Sequence, residues 1–343
     1  MRLNAAESKA ARVLPAARSL VVPAPAWWLP GPHLPTLYAK FARNPDFPAT
    51  TREYWPLPDG DRLAAERLRG RQSAPRLVIF HGLEGGTHST YARGLLQAAA
   101  ARGWWADLVL WRTCDGNTVN DVRRSYHSGA SEDAHAAVTH ILGADPARPT
   151  LLLGVSIGGN ILLKWLGEQQ SAAPTAIRAA AAVSVPYDLA CAATQTEHGF
   201  SRLYGWFFLR SLKRKIRAKR LRYPDIANPA ELERATTLRA FDDLVTAPMH
   251  GFADATDYYN RASSLRFLPN VRVPTLLLTA LNDPFLARWV LDEVRAAAER
   301  NPYLECVFPA GGGHVGFVSG VLPWRPQHWM EHYVLEWLAG RAV

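Results

Sequence analysis

Cysteine is scarce in this chain of 343 residues. Its three cysteines, Cys114, Cys191 and Cys306, lie far apart, so they lack the short spacings of a zinc site, and an odd number cannot all pair. A chain of this length also buries a core large enough to fold without cross-links. We therefore exclude a disulfide framework and expect a protein of a reducing compartment, the cytoplasm.

Long hydrophobic runs are missing as well. No apolar stretch approaches the roughly 20 residues of a transmembrane helix, and Leu20-Val21-Val22 is too short for the core of a secretory signal. Residues 1–24 contain four basic residues and one acid. Such a start also occurs in transit peptides, but we interpret it as a mobile N-terminal arm of a soluble protein.

Acidic residues are outnumbered by basic ones, 30 against 39, which leaves a net charge of +9. A basic surface gains affinity for nucleic acid by releasing counterions from phosphates. However, most of these basic residues are arginines scattered among Ala and Leu, and no nucleic-acid-binding motif accompanies them. We therefore expect no nucleic-acid partner. The 48% of hydrophobic residues excludes a largely disordered chain.

Short apolar runs alternate with helical patterns over most of the chain. Before them, a turn sequence at 58–61 separates two short extended runs. The alternation predicts an α/β fold, a mostly parallel sheet covered on both faces by helices. The strand-like runs are Arg76–Phe80, Asp107–Trp111, Thr150–Gly154, Ala180–Val185, Thr275–Ala280 and Leu304–Phe308. The helical stretches are Tyr91–Arg102, Glu132–Leu142, Gly159–Glu168, Ala287–Arg300 and His328–Leu338.

The alternation stops over residues 186–273, an interval too long for an ordinary connection and mostly compatible with helix. We predict a helical cap here, inserted into an α/β core of residues 25–185 and 274–343. Within the cap, residues 204–223 change from aromatic to densely basic. A membrane-surface contact would suit this segment, but we favour a solvated helical face, because charge runs usually face solvent.

The motif Gly-Val-Ser-Ile-Gly at residues 154–158 carries the strongest chemical signal. It follows a strand-like run directly and precedes a helical one, so its glycines permit a tight turn between strand and helix. Such a turn exposes the hydroxyl of Ser156 above the carboxyl ends of the strands. The helix that follows presents its positive end to a developing anion. Ser156 is therefore the candidate nucleophile.

A serine nucleophile needs a base, and the base needs an acid to orient it. With this type of turn the partners follow in the order Ser, acid, His, each after a later strand. Asp283 and His314 match that order and placement, and three glycines precede His314. Asp188 is the alternative acid, one strand earlier, but we favour Asp283. Two aspartates of the predicted cap, Asp254 and Asp257, are expected to be solvated or to cap a helix.

Two backbone amides are expected to stabilise the oxyanion. One is the amide of Ile157, directly after Ser156, and the other is that of Leu83, in the glycine-rich loop after the first sheet strand. His81 in the same loop fits a structural hydrogen bond better than catalysis. Cys114 is expected to be a structural thiol, and Arg112 is expected to hold its loop by bonds to backbone carbonyls.

Taken together, these motifs resemble the YheT-like branch of the α/β-hydrolases, AB hydrolase family 4, a family of esterases. The resemblance extends from about residue 25 to the C-terminus. Two departures are visible, Thr113 where many relatives have glycine and Pro35 where a polar residue is common, and both lie outside the predicted triad. The segments that carry the resemblance are HGLEGG (81–86), WRTCDG (111–116), YHSGASED (126–133), GVSIGGN (154–160), HGFADATDYYNRAS (250–263), LNDPF (281–285) and GGGHVGF (311–317).

The resemblance implies an α/β-hydrolase fold and a Ser-Asp-His charge-relay system on Ser156, Asp283 and His314. It also implies hydrolysis of carboxylic esters, either short- or medium-chain acyl esters or monoacylglycerol-like lipids. No metal or organic cofactor is expected. A thioesterase or lipase with the same triad is an alternative, and so is a non-catalytic binding module built on the same fold.

Overall fold

A central sheet of eight strands runs through the part of the protein that the structure describes. The computed structural model describes residues 20–342, so most of the predicted N-terminal arm, residues 1–19, lies outside the described part. The strands are β1 (Thr51–Pro56), β2 (Arg62–Leu68), β3 (Arg76–Phe80), β4 (Trp105–Leu110), β5 (Thr150–Val155), β6 (Ile177–Val183), β7 (Thr275–Leu278) and β8 (Leu304–Val307). Their order across the sheet is β1-β2-β4-β3-β5-β6-β7-β8.

The direction of the strands confirms the predicted fold class. β1 and β2, the two extended runs around the predicted turn, form an antiparallel hairpin, and β2 is antiparallel to β4. From β4 to β8 all neighbours are parallel. Every residue of β3 and β5 is buried, as expected for strands that helices cover on both faces.

Helices pack on both faces of the sheet. One hydrophobic core joins the sheet to α3, α4 and α11, and a second joins it to α2 and α12. Two short strands, β9 (Val318–Ser319) and β10 (Gln327–His328), form a small separate ribbon. The helices are α1 (His33–Phe41), α2 (Thr90–Arg102), α3 (Ser131–Ala144), α4 (Ile157–Gln169), α5 (Leu189–Gln195), α6 (Ser201–Arg220), α7 (Pro229–Arg234), α8 (Leu238–Phe241), α9 (Ala247–Met249), α10 (Ala255–Ala262), α11 (Arg288–Arg300) and α12 (Met330–Ala339).

The interval between β6 and β7 contains helices α5 to α10 and a π-helical turn at Asp242–Thr246. These helices surround two small hydrophobic cores of their own. The last part of the interval belongs to the main core instead, because Leu268, Val271 and Val273 pack there with α4 and α11. Within residues 20–342, no helix is both long enough and apolar enough to cross a membrane.

Several element boundaries differ from those predicted. β6 ends at Val183, because the next residue, Ser184, has a φ of +50° that no strand accommodates. α12 begins at Met330, since His328 pairs in β10 instead. α1 was not predicted at all, because its segment is rich in proline; Pro35 lies in the first turn, where a missing N–H does no harm.

Candidate active site

The carboxyl edge of the parallel strands brings distant segments of the chain together. The register pairs Phe80 of β3 with Gly154 of β5 and pairs Val155 with Val183 of β6. Val183 in turn is paired with Leu278 of β7. Leu278 is paired with Val307 of β8 as well, so the loops that leave these strands start side by side. They carry Leu83, Ser156, Asp283 and His314.

Ser156 lies at the turn between β5 and α4, with a φ of +55° and a ψ of −125°. This conformation is unfavourable for a residue with a side chain. It is held in place by the hydrogen bond from Ser156 N to Val183 O, at 2.8 Å. The turn also packs closely against β3, and this requires glycine at position 158, because a Cβ at Gly158 would lie 2.2 Å from Phe80 O. The turn therefore presents the Ser156 hydroxyl at the sheet edge.

The structure places Ser156, His314 and Asp283 in one hydrogen-bonded row. Nε2 of His314 lies 3.0 Å from Ser156 Oγ, and Nδ1 lies 2.9 Å and 3.2 Å from the two carboxylate oxygens of Asp283. Asp283 is buried and also accepts a bond from the amide of Phe285 at 3.0 Å. The alternative acid, Asp188, caps α5 by accepting the amide of Cys191. With its proton on Nδ1, His314 can accept the serine proton at Nε2.

The unpredicted helix α1 supports the His314 loop. Thr36 Oγ1 accepts the backbone N–H of His314 at 2.8 Å, across 278 residues of sequence. The loop comes so close to α1 that a Cβ at Gly313 would lie 2.3 Å from Pro32 O, and its φ of +57° also suits glycine. No pattern in the sequence links Thr36 to His314, and this is why sequence reasoning missed it.

The loop after β3 lies against the nucleophile. A Cβ at Gly82 would come within 3.0 Å of Ser156 Cβ, and the Gly82 amide donates to Tyr91 Oη at 2.8 Å. Leu83, the next residue, lines the same cavity as Ser156 and Ile157. Ile157 is the first residue of α4, so its amide has no acceptor within the helix. Leu83 and Ile157 therefore lie at the same cavity as the Ser156 hydroxyl, and their role as oxyanion donors stays a prediction.

His81 shapes this loop. It is fully buried, its Nδ1 donates to Gly82 O at 2.7 Å, and its Nε2 accepts the amide of Trp111 at 3.2 Å. Burial lowers the pKa of His81 to about 4. A neutral histidine with both nitrogens engaged by the backbone suits the structural role that the sequence suggested.

Glu84 connects the loop to α6. Its carboxylate accepts hydrogen bonds from Lys215 Nζ at 2.6 Å, from Tyr126 Oη at 2.7 Å and from the hydroxyl of Ser211. Burial alone would raise the pKa of Glu84, but the charge of Lys215 and these hydrogen bonds outweigh it, so the pKa is lowered. Glu84 has a φ of +53°, and its amide donates to Tyr126 Oη. A charged, fully bonded carboxylate therefore fixes the residue next to Leu83.

The expectation of a solvated face over residues 204–223 is only half right, because helical periodicity turns part of this segment inward. Lys219 is buried, and its Nζ donates to the carbonyl oxygens of Arg123 and Arg124 at 3.0 and 2.9 Å. Burial lowers the pKa of Lys219 to about 8.

Cys114 lies with its Sγ 3.4 Å from Lys215 Nζ. Burial raises the pKa of the Cys114 thiol to about 12, which keeps the thiol protonated, as expected for a structural thiol.

Arg112 binds carboxylates, so the expectation that it holds backbone carbonyls is wrong. Its guanidinium donates two parallel bonds to Asp133 at 2.7 and 2.8 Å, and one each to Asp59 and Asp61 at 2.8 and 2.9 Å. Arg112, Asp61 and Asp133 are buried. A buried guanidinium needs opposite charge as well as acceptors, and carboxylates supply both.

Two cavities meet at Ser156. The inner cavity, of about 130 Å³, extends from Ser156 beneath α5, α6 and α8, and Thr113 lies in its wall. The outer groove, of about 270 Å³, runs from Ser156 between α1 and α6. The side chains that line both are Leu83, Ser156, Phe208, Phe285 and His314. A substrate bound across Ser156 thus has room on both sides of the hydroxyl.

A serine on a strand-to-helix turn, at the carboxyl edge of a mostly parallel sheet, defines the α/β-hydrolase class of proteins. The family model described as "Serine aminopeptidase, S33" matches residues 72–301. The chain is 38% identical over 315 residues to the protein named "Putative esterase YheT" of Escherichia coli strain K12, covering 89% of each chain. It is 30% identical over 261 residues to a monoacylglycerol lipase of Saccharomyces cerevisiae, covering 73% of this chain and 56% of that one.

A solved structure has the same fold. The esterase Pf2001 of Pyrococcus furiosus matches with a TM-score of 0.54 and 15% identity, over 87% of this chain and 98% of that chain. The chain belongs to the α/β-hydrolase family of YheT-like esterases, as the sequence motifs predict. It is a hydrolase of the esterase and lipase type.

Proposed function

We propose that the protein is a serine carboxylic ester hydrolase that acts through an acyl-enzyme. The observation that carries this proposal is the row of hydrogen bonds from Ser156 Oγ through His314 to Asp283, at 3.0 and 2.9 Å. The contact between Ser156 and His314 has the length that proton transfer between a nucleophile and its base requires, and the contact between His314 and Asp283 orients the base.

Ser156 Oγ attacks the ester carbonyl carbon while Nε2 of His314 takes the hydroxyl proton. Asp283 holds the other ring nitrogen and stabilises the imidazolium that forms. The amides of Leu83 and Ile157 donate to the oxyanion, and each such donor is worth about 3 kcal/mol of barrier. His314 then gives its proton to the departing alcohol. A water molecule, activated by His314, hydrolyses the acyl-enzyme and regenerates Ser156.

The inner cavity suits the acyl chain, and the outer groove suits the alcohol. An apolar cavity of about 130 Å³ is close to one that accepts benzene, which favours chains of roughly six carbons. Helices α5, α6, α8, α9 and α10 contribute to the wall of this cavity, and the interval from α5 to α10 is proposed to be the cap that selects the acyl chain. The lipase and esterase names of the relatives support short- or medium-chain acyl esters, or monoacylglycerol-like lipids, as substrates.

The test is hydrolysis of p-nitrophenyl esters graded by chain length, with Ser156→Ala as the inactive variant. We expect activity to peak near the hexanoate and to disappear in Ser156→Ala, while circular dichroism shows an unchanged fold. A fluorophosphonate probe should label the natural protein and not the variant. Ester hydrolysis that survives in Ser156→Ala would reject the assignment.

Two further substrates separate the alternatives. An acyl thioester of the same chain length tests a thioesterase, and an aminoacyl p-nitroanilide tests the peptidase activity in the family description. We expect kcat/KM to be highest for the oxygen ester. No turnover and no probe labelling would instead indicate a non-catalytic binding module.

A further inference from the structure

Exposed large apolar side chains, three of them aromatic, surround the outer end of the groove. They are Phe41 of α1 and Leu203, Trp206 and Phe207 of α6, and we call these four side chains the entrance face. Phe41 is 67% exposed and Trp206 is 52% exposed. Large apolar side chains grouped in this way on a protein surface mark a site of interaction.

Contacts between the two helices show that the entrance face is continuous. Nζ of Lys40 lies 5.4 Å from the ring centroids of both Phe41 and Phe207, so it joins α1 to α6. The Trp206 and Phe207 rings are 5.1 Å apart, and Arg210 lies over Trp206 at 5.5 Å. Aromatic and cationic groups therefore alternate over one surface.

Within residues 20–342, no acid neutralises Lys40 or Arg210, the cations of this surface. In the part of the chain that the structure describes, the ion pairs of α6 are made by Lys215, with Glu84, and by Arg217, with Glu233. Over the same residues, neither Lys40 nor Arg210 has an acidic partner. The surface thus combines exposed rings with uncompensated positive charge, and this combination suits anionic headgroups above an apolar layer.

The entrance face is also continuous with the candidate active site. Phe41, Leu203 and Phe207 line the outer groove, whose inner end is formed by Ser156 and His314. A molecule released at these three side chains would therefore enter the groove directly.

We propose that the entrance face docks on an anionic lipid surface. The rings of Trp206 and Phe207 enter the interfacial layer, and Lys40 and Arg210 meet the phosphates of the headgroups. The groove then leads a lipid ester from this surface to Ser156; that last step rests on the proposed function, whereas the docking does not. Residues 204–223 as a whole are not the docking segment, because Lys215 and Lys219 point inward.

Vesicle co-sedimentation of the full chain tests the docking. We expect stronger binding to vesicles of phosphatidylcholine and phosphatidylglycerol in equal amounts than to phosphatidylcholine alone. The double variant Trp206→Ser with Arg210→Ser should bind the anionic vesicles about tenfold more weakly, since one large aromatic side chain and one cation leave the interface.

A matched control comes from the hairpin. Tyr54 of β1 is also exposed, and Arg62 of β2 lies over its ring at 4.7 Å. Tyr54→Ser with Arg62→Ser therefore removes the same kind of pair and the same charge, and it should bind like the natural protein. Equal loss in both double variants would show general attraction of a basic protein. That result, or no binding to either vesicle, would overturn the proposal.

Activity measurements distinguish the docking from the chemistry. Trp206 and Arg210 do not line either cavity. Their double variant should therefore hydrolyse a dissolved ester normally and a vesicle-embedded ester more slowly. Ser156→Ala should lose hydrolysis and still bind vesicles. Failure of hydrolysis alone would thus reject the proposed function and leave the docking intact.

Discussion

Glu84 and Lys215 form a largely buried ion pair, with 2.6 Å between Oε1 and Nζ. Glu84 follows Leu83, the residue whose amide is proposed to stabilise the oxyanion, and Lys215 lies on α6. The pair therefore ties the loop beside the nucleophile to a helix more than a hundred residues later. Because Glu84 adopts a left-handed backbone conformation, its position depends on these contacts.

Replacing Lys215 by Met should loosen the loop. The Glu84 carboxylate loses its charged partner, and the Leu83 amide is no longer held toward the oxyanion. We expect kcat to fall about tenfold to a hundredfold, less than for outright removal of an oxyanion donor. The affinity for a boronic acid that mimics the tetrahedral intermediate should fall by a similar factor, whereas a purely structural role would leave it unchanged.

Arg217 provides the control for Lys215. It lies on the same helix and also pairs with a glutamate, Glu233, but both side chains are exposed. Arg217→Met should leave kcat and boronate affinity unchanged, since exposed pairs contribute little. Equal kinetics for Lys215→Met and Arg217→Met would contradict the positioning role.

Gly158→Ala should destabilise the protein severely. The added Cβ would lie 2.2 Å from Phe80 O and 2.6 Å from His81 O, and backbone atoms of β3 cannot move without disturbing the sheet. We expect a loss of at least about 3 kcal/mol in the free energy of unfolding, or failure to fold. A Cβ added at Gly143 in α3 has no atom within 4 Å, so Gly143→Ala should raise the free energy of unfolding by up to about 1 kcal/mol. Urea unfolding of both variants measures the contrast.

Arg112→Met should leave three carboxylates without their cation. Asp61 and Asp133 are buried, so the loss is expected to be about 3–5 kcal/mol of unfolding free energy. Arg112→Lys keeps the charge but cannot donate the parallel pair of bonds to Asp133, and it should recover only part of the loss. A loss below about 1 kcal/mol in Arg112→Met would show that the cluster is not important for stability.

Asp242 should make stability depend on pH. Its carboxylate lines the inner cavity and accepts bonds from Thr246 Oγ1 at 2.6 Å and Tyr259 Oη at 2.7 Å. Burial raises the pKa of Asp242 to about 6. An unfolded aspartate releases its proton near pH ~4. Between these values the folded state binds more protons, so the free energy of unfolding falls as pH rises.

Asp242→Asn cannot titrate and isolates this contribution. Relative to the variant, the natural protein should lose about 1–3 kcal/mol of unfolding free energy between about pH 4.5 and about pH 7.5. Urea unfolding of both proteins at the two pH values measures the change. A difference between the proteins that stays constant with pH would contradict the raised pKa.

Local patterns in the sequence were enough to predict the fold class. Apolar runs of strand length, such as Arg76–Phe80 and Thr150–Gly154, become buried parallel strands, because only a sheet covered on both faces buries every residue of a strand. The candidate triad was also predictable, since the order Ser, acid, His and the position of each residue after a strand are visible along the chain. Helix α1 was not predictable, because prolines in and before its segment obscure the helical pattern of the sequence.

The sequence alone determined which residue types stand after which strands, and with them the class of chemistry. Tertiary structure decided the remaining features, namely the contact of Thr36 with His314, the ion pair of Glu84 with Lys215 and the carboxylates around Arg112. These contacts join segments far apart in the chain. Local propensity and periodicity extend over a few turns only, so they carry no information about which distant side chains the packing of α1 and α6 brings together.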